Sequence, residues 1–386
     1  MKLNLKHIRW SHYLNYLVIG IFTLVMAIIA LTGGHINNSM LFLLEKIAVS
    51  IILAVSLSLV VGFLGELSLG HAGFMCVGAY LGGKVAAVLE PSIGNGVGSL
   101  ILGLVIGGAA AAVCGVVIGI PALRLRGDYL AIVTLAFGEI VKSIFQNTSD
   151  ASFGGALGLE TPRFDKQYLF IFAFLLVLLT LAAAQNFIRS KHGRAVTAIR
   201  DNEIAARACG INVTKYKLIT FTLSAFFAGI AGVLYSFSNY TVQSAKFGYN
   251  YSIEILVMVV LGGMGSINGA IISAALITFL NTKLATVLTG DLAVLQNLLY
   301  ALILIIIVVY NNAPALKIFR DRYNLHVFFD KVVRRSKDPS RRSDDRAKWD
   351  VVPTKIEMNE ILSIDLKPQN LSGDKPTHDD SKGGKG

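Results

Sequence analysis

The sequence predicts an all-α fold, namely a polytopic helical bundle that lies in a membrane. The 386 residues are 54% hydrophobic and only 15% charged, whereas soluble domains carry about 25% charged residues. The apolar residues form long runs, and roughly 20 of them are enough for a helix to cross a bilayer. Clusters of Lys and Arg separate several runs. Together these features predict roughly ten membrane segments, some of them broken or re-entrant, and a disordered basic cytoplasmic tail.

The ten predicted segments follow one another from the first apolar run to the last. They cover residues 13–31, 42–64, a third segment ending near 89, 97–120, 129–145, 168–188, 218–238, 253–261, 270–288 and 292–310. The corresponding domain boundaries are a cytoplasmic N-terminus at 1–12, a transmembrane domain at 13–313 and a tail at 314–386.

Basic residues predict the orientation of these segments. They cluster before the first segment, at 124–126, at 189–217 and after the last segment. Cytoplasmic loops of membrane proteins carry an excess of Lys and Arg, so all four regions are predicted to be cytoplasmic. We therefore expect a multi-pass protein of a cell membrane, surrounded by lipid bilayer, with both termini inside. Nucleic acid is not an expected partner, because the charge follows the membrane orientation.

The tail at 314–386 differs in composition from the rest of the chain. It is polar and contains SRRSDDR and THDDSKGGKG, which are typical of disorder. Residues 319–333 fit either a basic amphipathic helix at the membrane surface or a solvated segment after the last span.

Two glycine-rich stretches interrupt apolar runs: SLGHAGFMCVGAYLGG at 68–83 and VMVVLGGMGSINGAII at 257–272. Irregular backbone within a membrane persists only where protein or a water-filled cavity receives it. Paired broken helices therefore indicate a transporter's substrate path, while close helix packing through small residues is the alternative. We expect GGMGS to be a true break. For Gly78, Gly82 and Gly83 both interpretations stay open.

Candidate path residues lie in or beside these stretches. They are Glu66, Gly70, His71, Gly73, Gly262, Gly263 and Gly265. A substrate carboxylate is expected to meet helix N-termini at the breaks. Glu66 also fits the inner interface, and a lone His is more often structural, so no metal site is expected. Glu139 and Lys142 fit an ordinary helical pair, and Glu254 fits a charge near a helix N-terminus.

The polar segment 189–217, which we name the coupling loop, contains GRAVTAIRDNEIAARACGINVTKYK. This sequence predicts an Ala-rich helix with a modest apolar stripe, ended by Gly210 as a C-cap. The stripe consists of Ala195, Ile199, Ala206 and Ala208–Cys209. Such a helix suits docking on another protein, and a solvated loop helix is the alternative. No G-x-x-x-x-G-K-[ST] phosphate loop or other catalytic motif occurs, so neither a cofactor nor enzymatic activity is expected in this chain.

Four stretches resemble a known family. They are LGELSLGHAGFMCVGAYLGG, LRLRGDYLAIVTLAFGEIV, GRAVTAIRDNEIAARACGINVTKYKLITFTLSAFFAGIAGVLYS and SIEILVMVVLGGMGSINGAII. They are similar to the LivM-type permeases of branched-chain amino-acid ABC importers, and the resemblance extends over about 59–277. The urea and amide ABC permeases share much of this pattern.

The resemblance implies a permease subunit of an ATP-driven importer for branched-chain or hydrophobic amino acids. It implies a second, LivH-like permease, two ATPase subunits (LivG-like and LivF-like) that bind ATP and Mg, and an extracytoplasmic substrate-binding protein. It also implies that 193–217 docks on an ATPase subunit. The candidate docking residues are Gly193, Arg194, Arg200, Glu203, Ala205, Ala206 and Gly210.

Other functions stay open on the sequence alone. A urea or short-amide ABC permease would share the architecture, whereas an ion-coupled secondary transporter would work without partner ATPases. A channel or scaffold is a further alternative, which the coupling loop disfavours. ATP dependence separates the two ABC hypotheses from the others.

Overall fold

A computed structural model of the protein describes residues 14–31, 37–93, 96–125, 127–162, 164, 166–287, 301–302 and 305. The helices are α1 (Leu14–Leu31), α2 (Asn38–Ser58), α3 (His71–Ile93), α4 (Val97–Ala122), α5 (Asp128–Gln146), α6 (Asp150–Phe153), α7 (Lys166–Arg189), α8 (Lys191–Asp201), α9 (Glu203–Ala208), α10 (Val213–Asn239), α11 (Tyr249–Gly262) and α12 (Ile267–Val287). A π-helical turn, Leu59–Leu64, extends α2, and a 3-10 turn, Ser244–Phe247, precedes α11. The predicted N-terminal segment 1–12, the tail 314–386 with its candidate helix at 319–333, and nearly all of segment 292–310 lie outside the described residues.

Six described helices are long and apolar enough to cross a membrane. They are Asn38–Leu64, His71–Glu90, Val97–Ala122, Tyr168–Arg189, Val213–Asn239 and Ile267–Val287. Two shorter apolar helices, Ile19–Ile28 and Tyr249–Gly262, match further predicted segments, and α5 covers the one at 129–145. The prediction of an all-α polytopic membrane protein is therefore confirmed, while the count of ten segments stays a prediction.

Helices α3, α4 and α10 pack against one another through glycines. A Cβ atom on Gly78 would lie 2.2 Å from the carbonyl oxygen of Gly229, and one on Gly82 would lie 2.7 Å from that of Gly103. A Cβ atom on Gly83 would meet the side chains of Thr161 and Ser236, at 3.0 and 3.2 Å. These glycines lie inside α3, so of the two interpretations close packing is the one observed.

A two-stranded sheet connects the loop before α7 with the loop that follows the C-terminal end of α10. Strands β1 (Leu159–Glu160) and β2 (Thr241–Val242) pair antiparallel, and Tyr80 Oη donates to the Val242 carbonyl at 2.9 Å. The sequence predicts only a polar loop at 146–167, but the structure also forms α6 and β1 there. The difference arises because Gly154 and Gly158 adopt positive φ and allow a tight turn between them.

Candidate functional site

The first break in the membrane helices consists of the π-helical turn, Leu59–Leu64, and the irregular segment 65–70 that follows it before α3. Gly65 has φ +79°, a left-handed conformation that ends the helix. The Glu66 backbone N–H donates to the Val60 carbonyl at 3.1 Å and completes this end. A Cβ atom on Gly65 would lie 2.7 Å from Arg200 Cγ, so the position requires glycine for space as well as for φ.

The second break is the turn 263–266 between α11 and α12. Gly263 and Gly265 have φ of +91° and +83°, and the Ser266 N–H donates to the Gly263 carbonyl at 3.0 Å. A Cβ atom on Gly262 would lie 2.4 Å from the carbonyl carbon of Gly269, so the two helices touch backbone to backbone beside the turn. The GGMGS sequence therefore interrupts the helix, as its glycine content predicts.

The two breaks meet each other and the coupling loop. A Cβ atom on Gly62 would lie 2.6 Å from the backbone nitrogen of Gly265. Arg200 of α8 donates from Nη1 to the Gly62 carbonyl at 3.1 Å, and the same Nη1 would lie 3.6 Å from a Cβ on Gly265. One arginine therefore contacts both breaks. We name this meeting point of 62–66, 263–266 and the coupling loop the junction.

A buried lysine forms two ion pairs at the junction. Lys217 Nζ lies 2.5 Å from Glu66 Oε1 and 3.2 Å from Glu203 Oε2. The Lys217 side chain is 4% exposed and that of Glu66 is 13% exposed, so water screens the first pair poorly. Glu203 also pairs with Arg207 at 2.7 Å. The lysine thus joins the first break, α9 and the beginning of α10.

The coupling loop forms two short helices, where the sequence predicts one. Asn202 has extended backbone angles (φ −158°, ψ 103°), and its side chain accepts from the Ala205 N–H at 2.9 Å as the N-cap of α9. The C-cap of α9 is Cys209, one residue before the predicted Gly210, which follows it with φ +81° in the left-handed conformation that ends the helix. The division into two helices results from this cap, because an Asn side chain competes with the helical hydrogen bonds before it.

The two helices divide into a buried and an exposed face. Val196, Ile199 and Ala206 form a small core with Leu64 and Val213, which fixes the coupling loop to the end of the π-helical turn. The opposite face carries Ile204, which is 78% exposed, together with exposed Ala205, Ala208 and Cys209. The predicted stripe is therefore split, since its Ala208–Cys209 part points away from the core.

Gly193 and Arg194 shape the corner between α7 and α8. The Ser190 hydroxyl caps α8 by accepting from the N–H groups of His192 and Gly193, at 3.1 and 3.4 Å. A Cβ atom on Gly193 would lie 2.1 Å from the Ile188 carbonyl oxygen. Arg194 donates to the Arg189 carbonyl from an exposed position. These two candidate residues thus set the path of the chain at the start of the coupling loop.

Gly70, His71 and Gly73 lie at the other end of the first break, away from Arg200. His71 is buried and its Nε2 lies 2.8 Å from Ser56 Oγ. A Cβ atom on Gly70 would lie 2.2 Å from the Thr134 carbonyl oxygen, and one on Gly73 would lie 2.8 Å from Gly138 Cα. These residues hold α3 against α2 and α5. Within the part of the chain that the structure describes, no group of three or more His, Cys, Asp or Glu residues is placed to bind a metal.

Comparison with known families decides what kind of protein contains this junction. A family described as "Branched-chain amino acid transport system / permease component" matches residues 39–308. The chain belongs to this family. The expected resemblance to LivM-type permeases is confirmed, and with its membrane-spanning helices the permease is a multi-pass membrane protein.

The curated relatives that the chain matches are themselves named as permeases for two substrate classes. The high-affinity branched-chain amino acid transport system permease protein LivM of Salmonella typhimurium is 37% identical over 258 residues, which are 59% of each chain. The protein of the same name in Escherichia coli gives the same values. The ribose import permease protein RbsC of Escherichia coli is 27% identical over 299 residues, 71% of this chain and 86% of RbsC. The chain thus matches about 59% of the length of these two LivM proteins.

The sequence predicts Glu66 and Gly265 in one site and Arg200 and Glu203 in another, and the structure brings all four together. Gly62 and Lys217, which contact both groups, are not among the predicted site residues. The sequence does contain a feature that points to Lys217, since a cation stands there at the start of an apolar run. No comparable feature identifies Gly62, because a single glycine in an apolar helix is compatible with many kinds of packing.

Proposed function

We propose that the permease is a membrane subunit of an ATP-driven ABC importer for branched-chain or hydrophobic amino acids. It forms the translocation path with a second, LivH-like permease. Two LivG/LivF-like ATPase subunits bind ATP and Mg and supply the energy, and an extracytoplasmic binding protein delivers the substrate. The chain itself hydrolyses nothing, and both its termini lie in the cytoplasm.

The junction is the observation that carries this proposal. The coupling loop presents an apolar patch around Ile204 of α9, which is 78% exposed. Glu203 of the same helix pairs with Lys217, and Arg200 of the preceding α8 donates to the Gly62 carbonyl. An exposed apolar side chain on a short, capped helix is suited to contact another protein. An ATPase subunit that docks there acts on both breaks at once.

The contacts of the junction give this docking a direct mechanical consequence. Movement of α9 displaces Glu203, and with it the Lys217 ammonium at the beginning of α10. Movement of α8 displaces Arg200, which holds the Gly62 carbonyl of the first break and lies against Gly265 of the second. Alternating access then requires that these contacts differ in free energy between the outward-open and inward-open states.

The substrate assignment is supported by the names of the LivM relatives and by the higher identity to them than to the ribose permease RbsC. The first experiment therefore measures uptake into vesicles that carry this permease with its candidate partner subunits. Labelled leucine, valine, urea and ribose are compared, with ATP enclosed or omitted. ATP-dependent uptake of leucine or valine is the expected result.

The other outcomes identify which part of the proposal is wrong. ATP-dependent uptake of urea or ribose alone keeps the importer and replaces the substrate. Leucine uptake without ATP or partner subunits indicates a secondary transporter and overturns the proposal. Ile204→Ser, which removes the apolar contact from an exposed position, is expected to reduce uptake while leaving insertion normal, whereas Ile253→Ser, on exposed α11 surface, serves as its control.

A further inference from the structure

A cavity of about 590 Å³ lies between α2, α10, α11 and α12, at the ends of these helices remote from the junction. We name it the four-helix cavity. Lys217 at the junction and Tyr235 at the cavity belong to the same helix, and the rise of an α-helix separates them by roughly 27 Å. The volume lies within the range of small-molecule sites, about 300–1,000 Å³. The cavity is therefore a separate candidate site.

Charges of both signs line the four-helix cavity on three different elements. Lys46 belongs to α2, Lys246 to the 3-10 turn and Glu254 to α11. The Lys46 ammonium lies 4.5 Å from the centre of the Phe42 ring, and Asn281 Nδ2 donates to Glu254 Oε1 at 2.9 Å. Glu254 lies in the second turn of α11, past the first-turn position that its sequence context suggested. Two cations and one anion complement a ligand that carries a carboxylate and an ammonium.

The remaining walls combine apolar surface with Ser, Thr, Asn and Tyr side chains, and one buried hydroxyl among them is unsatisfied. Phe42, Val49 and Phe247 supply apolar surface. Thr278 is 7% exposed, and its Oγ1 has no hydrogen-bond partner among the described residues. Because buried polar groups are nearly always hydrogen-bonded, this hydroxyl is available to hydrogen-bond a ligand that enters the cavity.

The two breaks offer less to a charged ligand. At the first break, the Ala72 N–H donates to Ser252 Oγ at 3.1 Å. At the second, the Gly269 N–H donates to Ser266 Oγ at 3.1 Å. One N–H group at each of these helix N-termini, which the sequence suggested for a substrate carboxylate, thus already has a protein acceptor. The four-helix cavity instead offers charged side chains of both signs.

We propose that the four-helix cavity binds one zwitterionic amino acid with an aliphatic side chain. The ligand carboxylate lies between Lys46 and Lys246, and its ammonium lies at the Glu254 carboxylate, which Asn281 orients. The aliphatic group lies against Phe42 and Val49. This inference rests on the proposed function, because it names the place where the imported amino acid contacts the permease.

The test measures binding of labelled leucine to the full chain in lipid nanodiscs. Lys46→Gln and Glu254→Gln each remove one charge from the cavity, and each is expected to weaken binding about tenfold or more, the effect of losing a charge-assisted hydrogen bond. Lys283→Gln is the matched control, since Lys283 is exposed on α12 and does not line the cavity. Its affinity is expected to equal that of the parent.

Two unlabelled competitors test recognition of the zwitterion. 4-Methylpentanoate lacks the ammonium and 3-methylbutylamine lacks the carboxylate, so neither is expected to displace leucine at concentrations at which valine does. Thr278→Val, which is nearly isosteric, keeps the test valid if a charge variant fails to insert. It is expected to weaken leucine binding several-fold through the lost hydroxyl.

The opposite results overturn the inference. They are leucine binding unchanged by Glu254→Gln and Thr278→Val, equal displacement by both competitors, or no leucine binding by the parent. If the assembled importer nevertheless takes up leucine with ATP, the proposed function stands and only the cavity assignment fails. If uptake is specific for urea or ribose, the proposed substrate fails together with the cavity.

Discussion

The junction and the four-helix cavity lie at opposite ends of the same group of helices and differ in how they are built. At the junction, backbone meets backbone without room for a methyl group at Gly62, and a buried lysine pairs with two carboxylates. At the cavity, about 590 Å³ of open space separates side chains of both charges. One end is closed and bonded, and the other is open.

The difference suits the two ends of these helices to different tasks, namely transmission of movement at the junction and ligand binding at the cavity. Close-packed contacts transmit a displacement, because packed interfaces shift between discrete arrangements and do not deform continuously. Open space with unsatisfied polar groups accepts a ligand. A permease that converts movement of α8 and α9 into release of a bound molecule needs both.

Lys217→Met is expected to have the largest effect. It leaves the Glu66 carboxylate charged in a mostly buried position, and breaking a buried ion pair by removing one partner costs about 3–5 kcal/mol. We expect a clearly lower midpoint of thermal unfolding in detergent, together with loss of ATP-dependent uptake.

The double variant Lys217→Met with Glu66→Gln supplies the control for that loss. Because it removes the buried charge as well, it is expected to recover part of the stability and none of the transport. If the single variant unfolds at the same temperature as the parent, the lysine is not the buried link between the first break and α9.

Gly62→Ala is expected to have the next largest effect, about 1–3 kcal/mol of destabilisation from overpacking. The new Cβ atom would lie 2.6 Å from a backbone nitrogen, which cannot move aside as a flexible side chain can. Gly20→Ala in α1 is the matched control, because a Cβ atom there meets nothing within 4 Å. Equal thermal midpoints for the two variants would show that the breaks do not touch at Gly62.

Much of the fold could be predicted from the sequence, because an apolar run of membrane length has few alternatives to a helix. The run at 97–120 corresponds to α4, Val97–Ala122, within two residues. The break at GGMGS was also predictable, since three glycines in four residues disfavour a helix.

The assembly of the junction could not be predicted in this way. Arg200 and Gly62 are 138 residues apart in sequence, and Lys217 and Glu66 are 151 apart. Composition and periodicity describe local structure and contain no information about which distant segments meet. The same limit applies to the four-helix cavity, whose charged residues come from α2, α11 and the 3-10 turn.

Arg207→Gln is expected to have the smallest effect, although Arg207 pairs with the same Glu203 carboxylate as Lys217. The Arg207 side chain is 61% exposed and the pair is of the i,i+4 type, for which about 0.3–0.5 kcal/mol is usual. We expect a thermal midpoint and an uptake rate close to those of the parent, and little dependence of either on salt. A loss as large as that of Lys217→Met would mean that the whole carboxylate network acts as one unit. In that case the exposed face of α9 would be as tightly coupled to the breaks as its buried side, and the contrast between the two partners of Glu203 would disappear.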